Sequence, residues 1–385
     1  MAEHAYFDNA ATTFPKPEVV YSEADNFYRT IGGNAGRGAN PFSNQASGIV
    51  RETRNLIKDL YSCHSKEVAF TSTATEALNR ILLGSDLSQG DTVYLTPFEH
   101  NAVTRPLNHL AKTAGIALEI LKFDKATLLP TLDEIEDQFK QKPPRLVAMT
   151  HASNVCGAVV PVFEICKLAK RFGATTVIDM SQTAGLLDLE LSSDAIDFAV
   201  FAGHKTLYGP FGVGGFFFSK GACLDPVLFG GNGINSIEQD MPTDIVQMTE
   251  IGSRNIYAIA GLKAALAWIQ GQGIKSIRES ESQNAERLLS LLRSYPWIRI
   301  VGDDMECRRI GVVSTLFQDY SPSEIEQIMG NQGISIRSGL HCSPYAHEFL
   351  GTAPEGTARF SVSALTTDRD FEILHGVLDE IEEVD

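Results

Sequence analysis

Lys205 stands in Phe201-Ala202-Gly203-His204-Lys205-Thr206-Leu207-Tyr208-Gly209-Pro210, after a nearly uncharged run (Ala195 to Phe201, broken only by Asp197) and before the glycine-rich apolar stretch Gly209 to Phe218. Burial lowers an amine's pKa, and a neutral amine condenses with an aldehyde. Pyridoxal phosphate (PLP) is the aldehyde cofactor that proteins bind in this way. A lysine in a surface loop is the plainer reading, because most lysines are solvated. Two other segments weigh against it. Val177-Ile178-Asp179-Met180-Ser181-Gln182 reads as an apolar strand ending in a carboxylate, and an acid against the pyridine nitrogen keeps that ring protonated as an electron sink. Phe98-Glu99-His100-Asn101-Ala102 puts a flat imidazole at a strand-to-helix turn, where it could stack on a cofactor ring.

Other side chains carry two readings each. Ser72-Thr73-Ala74-Thr75-Glu76-Ala77 follows a strand ending at Phe70 and opens a helix through Leu83. Small residues there bare backbone N–H groups for a phosphate, or simply cap the helix with Glu76 complementing its dipole. His204 is a core histidine or, beside Lys205, a phosphate donor. Asp179 and Gln182 also have the spacing of a capping box. Ser253, in Gly252-Ser253-Arg254, suits the N-cap of a helix beginning near Ile256. Arg359, in Gly356-Thr357-Ala358-Arg359-Phe360-Ser361, is a fork for a carboxylate or a surface salt bridge. Cys342, in Arg337-Ser338-Gly339-Leu340-His341-Cys342-Ser343-Pro344, lies in a loop, unlike a structural thiol. His341, Arg337 and a cationic cofactor site would favour its thiolate. Cys156, in the loop of Asn154, is the nearest rival among the other cysteines.

Positioning these residues needs an α/β fold. Val68 to Phe70, Thr92 to Leu95, Ala117 to Leu121, Leu146 to Met149, Thr176 to Ile178, Phe198 to Val200 and Gly214 to Phe218 read as seven strands. Amphipathic helices lie between several of them, Pro161 to Phe172 most clearly, with Lys170 and Arg171 near its end and Gly173 after it. That alternation argues for a mostly parallel sheet with helices on both faces, which binds ligands at the carboxyl ends of its strands. After Arg254 the pattern changes to a smaller α+β domain. Its helices are Ile256 to about Gln270, Asn284 to Arg293, Pro322 to Met329 and Asp368 to Glu382, with strands at Ile298 to Val301 and Ile310 to Phe317. The expected division is a large domain over 1–255 and a small one over 256–385, with the first fifteen or so residues packing on the latter.

Composition excludes several classes. With 385 residues, 43% hydrophobic, and a formal charge of −16, the chain is globular and offers no electrostatic case for nucleic acid or an anionic membrane. No apolar run is long enough to span a bilayer, and the start does not read as a signal peptide. The six cysteines are scattered without a Cys-x-x-Cys pair, so neither a metal site nor a disulfide framework is expected, and reduced thiols in the cytoplasm are.

The segments also resemble, in order along most of the chain, those of the class V aminotransferase family, and within it the cysteine desulfurase and selenocysteine lyase branch. The matching stretches are Tyr6-Phe7-Asp8-Asn9-Ala10-Ala11-Thr12-Thr13, Thr71 to Ala77, Glu99 to Val103, His151-Ala152-Ser153-Asn154-Val155-Cys156-Gly157, Asp179 to Gln182, Gly203-His204-Lys205, Gly252 to Asn255, Arg337 to Cys342 and Arg359-Phe360-Ser361. The resemblance implies a PLP-dependent fold type I enzyme. It makes Lys205 the PLP lysine, Asp179 the partner of the pyridine nitrogen, His100 the stacking and proton-passing residue, and Ala74, Thr75 and His204 phosphate contacts. Gln182 would meet the phenolic oxygen, and Asn154 either that oxygen or substrate. Ser253 would reach the cofactor phosphate of a neighbouring subunit, which implies a homodimer. Arg359 would clamp the substrate carboxylate, with Arg37 and Arg337 at the rim. Family members usually carry serine or threonine where Ala202 stands, so one phosphate donor is missing here.

The implied reaction takes L-cysteine to L-alanine and leaves its sulfur as a persulfide on Cys342. The short Cys342 loop resembles that of enzymes that rely on a dedicated sulfur-acceptor protein. Selenocysteine lyase, another class V aminotransfer or lyase reaction, and a non-catalytic sulfur carrier are the alternatives.

Overall fold

The computed structural model describes residues 4–36, 40–233 and 237–382. In chain order the elements are β1 (Ala5–Tyr6), α1 (Glu18–Thr30), α2 (Pro41–Leu60), β2 (Glu67–Thr71), α3 (Ala74–Gly84), β3 (Thr92–Leu95), α4 (Asn101–Thr113) and β4 (Ala117–Ile120). Then come α5 (Leu132–Gln141), β5 (Pro144–Thr150), α6 (Val162–Arg171), β6 (Thr175–Asp179), β7 (Phe198–Ala202), β8 (Gly214–Phe218), α7 (Ile245–Thr249), α8 (Ile256–Gln272) and α9 (Ile274–Arg293). The chain finishes with β9 (Ile298–Ile300), β10 (Val312–Phe317), α10 (Pro322–Asn331), β11 (Ile334–Ser335), β12 (Arg337–Gly339), α11 (Pro344–Leu350), β13 (Thr357–Ser361) and α12 (Asp368–Glu382).

The seven expected strands form one sheet in the order β2-β8-β7-β6-β5-β3-β4. Its strands alternate between two apolar layers. Val177 and Val200 pack with α3 and α4 on one face, whereas Ile178 and Phe201 join the core of the other. Pairings among β7, β6, β5, β3 and β4 are parallel, but β8 runs antiparallel to both β7 and β2. The reason is local: residues 203–213 join β7 to β8 without a crossover helix, and a parallel return requires one. That hairpin connection carries Lys205, so the lysine stands at the carboxyl end of β7.

A second sheet, β12-β13-β10-β9, is antiparallel, and β1 pairs in parallel with β11. Phe7, just past β1, packs edge-on against Phe360 and Phe371, tying the start of the chain to that layer. Helix α8 opens the expected second domain, yet Ala258, Ile259, Leu262, Ala265 and Leu266 lie in the core beneath the large sheet, against α1 and α2. Helix α9 is longer than the leucine spacing suggested, beginning at Ile274 rather than Asn284.

Candidate active site

Parallel strands β5, β6 and β7 end side by side, and their last residues open into a cavity of about 260 Å³ lined by Thr150, Asp179, Ala202 and Lys205. Asp179 is buried, and its Oδ1 accepts from Ser181 N at 2.9 Å and Ser181 Oγ at 2.5 Å. No capping box forms with Gln182, whose Nε2 instead donates to Ala10 O at 2.9 Å. The main chain of Lys205 is pinned by Thr13 Oγ1, which donates to its carbonyl at 3.0 Å. Its Nζ has no hydrogen-bond partner among the described residues. Burial, above all, together with repulsion from Arg359 and Arg337, pulls the amine down to about 8 against the opposing pull of Asp179.

His100 caps α4: its Nδ1 accepts from Ala102 N at 3.0 Å, so the neutral ring carries its proton on Nε2. Burial and the neighbouring Lys205 charge keep it neutral, with a pKa of about 4.

At the other end of the cavity, Thr73 is the N-cap of α3, with Glu76 N donating to its Oγ1 at 3.0 Å. The N–H groups of Ala74 and Thr75 find no acceptor among the described residues. His204 Nδ1 is buried without a partner while its ring stacks on Phe211 at 4.7 Å. Burial drives this imidazole down to about 3, so it is neutral and offers one N–H. An unpaired amine, a buried carboxylate, two helix-terminal N–H groups and an orphaned imidazole nitrogen match the aldehyde, pyridinium and phosphate of PLP. The residues present therefore fit that cofactor.

The strand β12 feeds the loop of Cys342. Glycine is required at 356, where φ is +85° and a Cβ would fall 2.1 Å from Gly339 O. The loop is held from outside itself: Asn154 Nδ2 donates to His341 O at 2.8 Å, Ser343 Oγ donates to Asn154 Oδ1 at 2.7 Å, and Asn101 N donates to Cys342 O at 2.7 Å. His341 and Cys342 both adopt left-handed φ, +47° and +58°, a conformation that costs non-glycine residues of order 1–3 kcal/mol each. The Cys342 thiol is half-buried, with Arg337 Nη2 3.6 Å from Sγ. Cys156 is fully buried, which removes the rival thiol from reach.

Several sequence expectations are corrected. His341 does not support a thiolate: its buried ring faces Thr357 Oγ1 at 3.0 Å, and burial holds it neutral, down to about 2. Asn255, not Ser253, caps α8 by accepting from Ala258 N at 3.1 Å. Ser253 is exposed, near Asn34 Nδ2 at 3.4 Å, and lines no part of the Lys205 cavity. Arg359 is no surface salt bridge: it is 1% exposed, and its Nη2 donates to Asp8 Oδ1 at 2.6 Å while Nη1 donates to Asn154 O at 3.0 Å. Arg37 lies outside the described residues. No cluster of metal-ligating side chains occurs among the described residues, and no helix there is long and apolar enough to cross a membrane.

Sequence reasoning gave no role to Asp8 or Glu99. Both lie in quoted motifs, but their partners are distant in sequence. Glu99 is fully buried; Oε1 accepts from Thr96 Oγ1 at 2.6 Å and Thr150 N at 2.7 Å, and Oε2 has no partner. Burial, reinforced by Asp179, raises it to about 8, so it is protonated at neutral pH. The native state thus holds a proton that the unfolded chain releases above the ordinary carboxylate range, and stability falls as pH rises toward about 8. Glu99→Gln lacks this loss. Denaturant titrations should show the variant gaining on the order of 2 kcal/mol relative to wild type between about pH 6 and about pH 9. A pH-independent difference would contradict the protonated assignment.

Sheet order and the lysine loop at the carboxyl ends of parallel strands define fold type I of the PLP-dependent transferases. The chain belongs to the aminotransferase class-V family, whose model matches residues 5–374; that family is generally PLP-dependent. A protein of Pyrococcus abyssi described as a probable cysteine desulfurase is 31% identical, over 98% of this chain and 94% of its own length. One of Methanothermobacter thermautotrophicus with the same description is 29% identical over 99% and 95%. The apo structure of a cysteine desulfurase from Thermococcus onnurineus superposes with a TM-score of 0.90 at 28% identity, covering 99% of this chain and 95% of that one.

Proposed function

We propose that this enzyme is a PLP-dependent cysteine desulfurase that converts L-cysteine to L-alanine and retains the sulfur as a persulfide on Cys342. The observation that carries this reading is a half-buried thiol, with Arg337 beside it, at a groove that shares His100, Thr75 and Ala102 with the cavity of Lys205. Lys205, Asp179, Gln182, His100, Asn154, Ala74, Thr75 and His204 would hold PLP, which when bound supplies an electron sink that acidifies the α-proton of an amino acid.

The chain's own groups do the rest. Arg359 takes the substrate carboxylate, sharing its guanidinium with Asp8, and Arg337 guards the rim. Lys205 moves a proton at the α-carbon. The Cys342 thiolate attacks the substrate sulfur: an S–S bond forms, the C–S bond breaks, and its electron pair stays with the β-carbon. That carbon is protonated from the side of His100 Nε2–H and becomes the methyl of alanine. One cysteine and one thiol give one alanine and one persulfide, so the step balances without an outside redox partner. Arg337 is the cation beside the sulfur, with Nη2 3.6 Å from Sγ.

The reading includes a homodimer in which Ser253 serves the partner's cofactor, supported by its position outside its own chain's cavity and by the exposed Phe211 (65%) and Phe229 (71%). It includes a cytoplasmic setting and a protein that takes the persulfide sulfur. Alanine measured against persulfide mass on the PLP-loaded protein tests it. Equal amounts of both are expected; pyruvate with no sulfur added to Cys342 would overturn it.

The depressed Lys205 amine has its own consequence. Only the neutral amine condenses with an aldehyde, and below about 8 its fraction rises tenfold per pH unit. Protein stripped of cofactor and mixed with PLP should gain visible absorbance about tenfold faster at pH 7 than at pH 6, levelling off above pH 8. A lysine with an ordinary pKa would keep accelerating beyond pH 9.

A further inference from the structure

Cys342 lines not the inner cavity but an adjoining groove of about 530 Å³ between α3 and α4, which meets that cavity at Thr75, His100 and Ala102. Asn79 forms one wall, and Arg105 and His109, one helical turn apart on the same face of α4, form the other. Among the described residues no acidic side chain lines the groove, although the chain as a whole carries −16. Arg105 is exposed and has no hydrogen-bond or ion-pair partner among the described residues. Lys205 and Arg359 line the inner cavity, whereas Cys342 and Arg105 line the groove.

We propose that the α3–α4 groove binds the thiol that removes sulfur from Cys342, that this acceptor carries a carboxylate beside its thiol, and that Arg105 is the anchor for that carboxylate. The inference rests on the desulfurase reading above. The acceptor thiolate attacks the outer sulfur of the persulfide. A new S–S bond forms on the acceptor, the old one breaks, and Cys342 leaves as thiolate, so sulfur moves with no net redox change. The shared chemistry of a free thiol acid and an acidic cysteine-bearing peptide fits the groove equally.

The test uses full-length, PLP-loaded protein charged with L-cysteine and freed of excess substrate. Clearance of the Cys342 persulfide is then followed in single turnover, normalised to the persulfide each variant carries. Probes are 3-mercaptopropionate, 2-mercaptoethanol and cysteamine, together with capped Asp-Cys and Lys-Cys dipeptides. Taking the variant-to-wild-type ratio for each thiol cancels its intrinsic reactivity. Arg105→Ala should slow the anionic thiols by roughly three-fold and Arg105→Glu by roughly ten-fold, the scale of exposed ion pairs, with the cationic thiols unchanged or faster. An effect confined to the dipeptides assigns the groove to a protein acceptor; one shared by 3-mercaptopropionate shows that a free thiol acid suffices.

Loaded persulfide with equal ratios for all charges overturns the inference alone. So does a raised KM for L-cysteine with unaltered clearance, which would make the groove the substrate's entrance. Failure of the wild type to gain sulfur overturns the functional reading and this inference with it.

Discussion

Lys205→Ala is expected to reduce alanine formation at least about a thousand-fold and to abolish the slow gain of visible absorbance with added PLP. The magnitude combines the loss of the covalent anchor with the loss of a positioned proton carrier, which alone contributes about 10²–10⁴. Lys205→Arg is the informative companion: it keeps the charge facing Asp179, but a guanidinium stays protonated and cannot condense with an aldehyde. Lys205→Ala should fold. The amine has no hydrogen-bond partner to orphan among the described residues, and burial, the first cause of its lowered pKa, opposes its charge. Thermal unfolding of the cofactor-free proteins should therefore place Lys205→Ala level with or above wild type. Activity retained by Lys205→Ala would return the residue to an ordinary loop lysine.

Replacing Cys342 separates cofactor chemistry from sulfur chemistry. Cys342→Ala should bind PLP with a wild-type spectrum yet form alanine from L-cysteine at least about a hundred-fold more slowly, and it should carry no persulfide. Folding should be little affected, because neighbours hold this loop mainly through the carbonyls of His341 and Cys342 and the side chain of Ser343, and Sγ adds only the long contact from Arg337 Nη2. Cys156→Ser is the matching control. That thiol is fully buried, so its loss should leave persulfide formation intact. If Cys342→Ala released sulfur at the wild-type rate as pyruvate and sulfide, the cysteine would be incidental and the enzyme an eliminating lyase.

Much of the scaffold was legible in one dimension. Short apolar β-rich runs punctuated by helical periodicity marked all seven strands of the large sheet; burial on both faces leaves that signature in the inner strands, while the edge strand β4 is only partly buried. Lys205, Asp179 and His100 stood out because charged or polar groups abutting apolar strands need a reason to be there. The reversed direction of β8 was not drawn from the sequence, although the lack of a helix over 203–213 contained it.

What each polar atom is used for was not legible. Arg359 meets Asp8, Asn154 grips the loop of Cys342, and Glu99 reaches Thr150, all through partners far away in the chain. Local pattern reports burial and period; it does not report which distant segment arrives opposite a side chain. His341 shows the consequence, since its neighbour Cys342 suggested a supporting cation while the left-handed backbone turns the ring toward Thr357 as a neutral group. The amino-acid sequence by itself determined the strand-and-helix order, the lysine, acid and imidazole of the cavity, and the loop thiol. The tertiary structure alone decided which of these groups are charged and what restrains them. It also decided that the thiol opens onto a groove adjoining the lysine cavity, since burial, desolvation and long-range hydrogen bonds exist only once the strand ends are assembled.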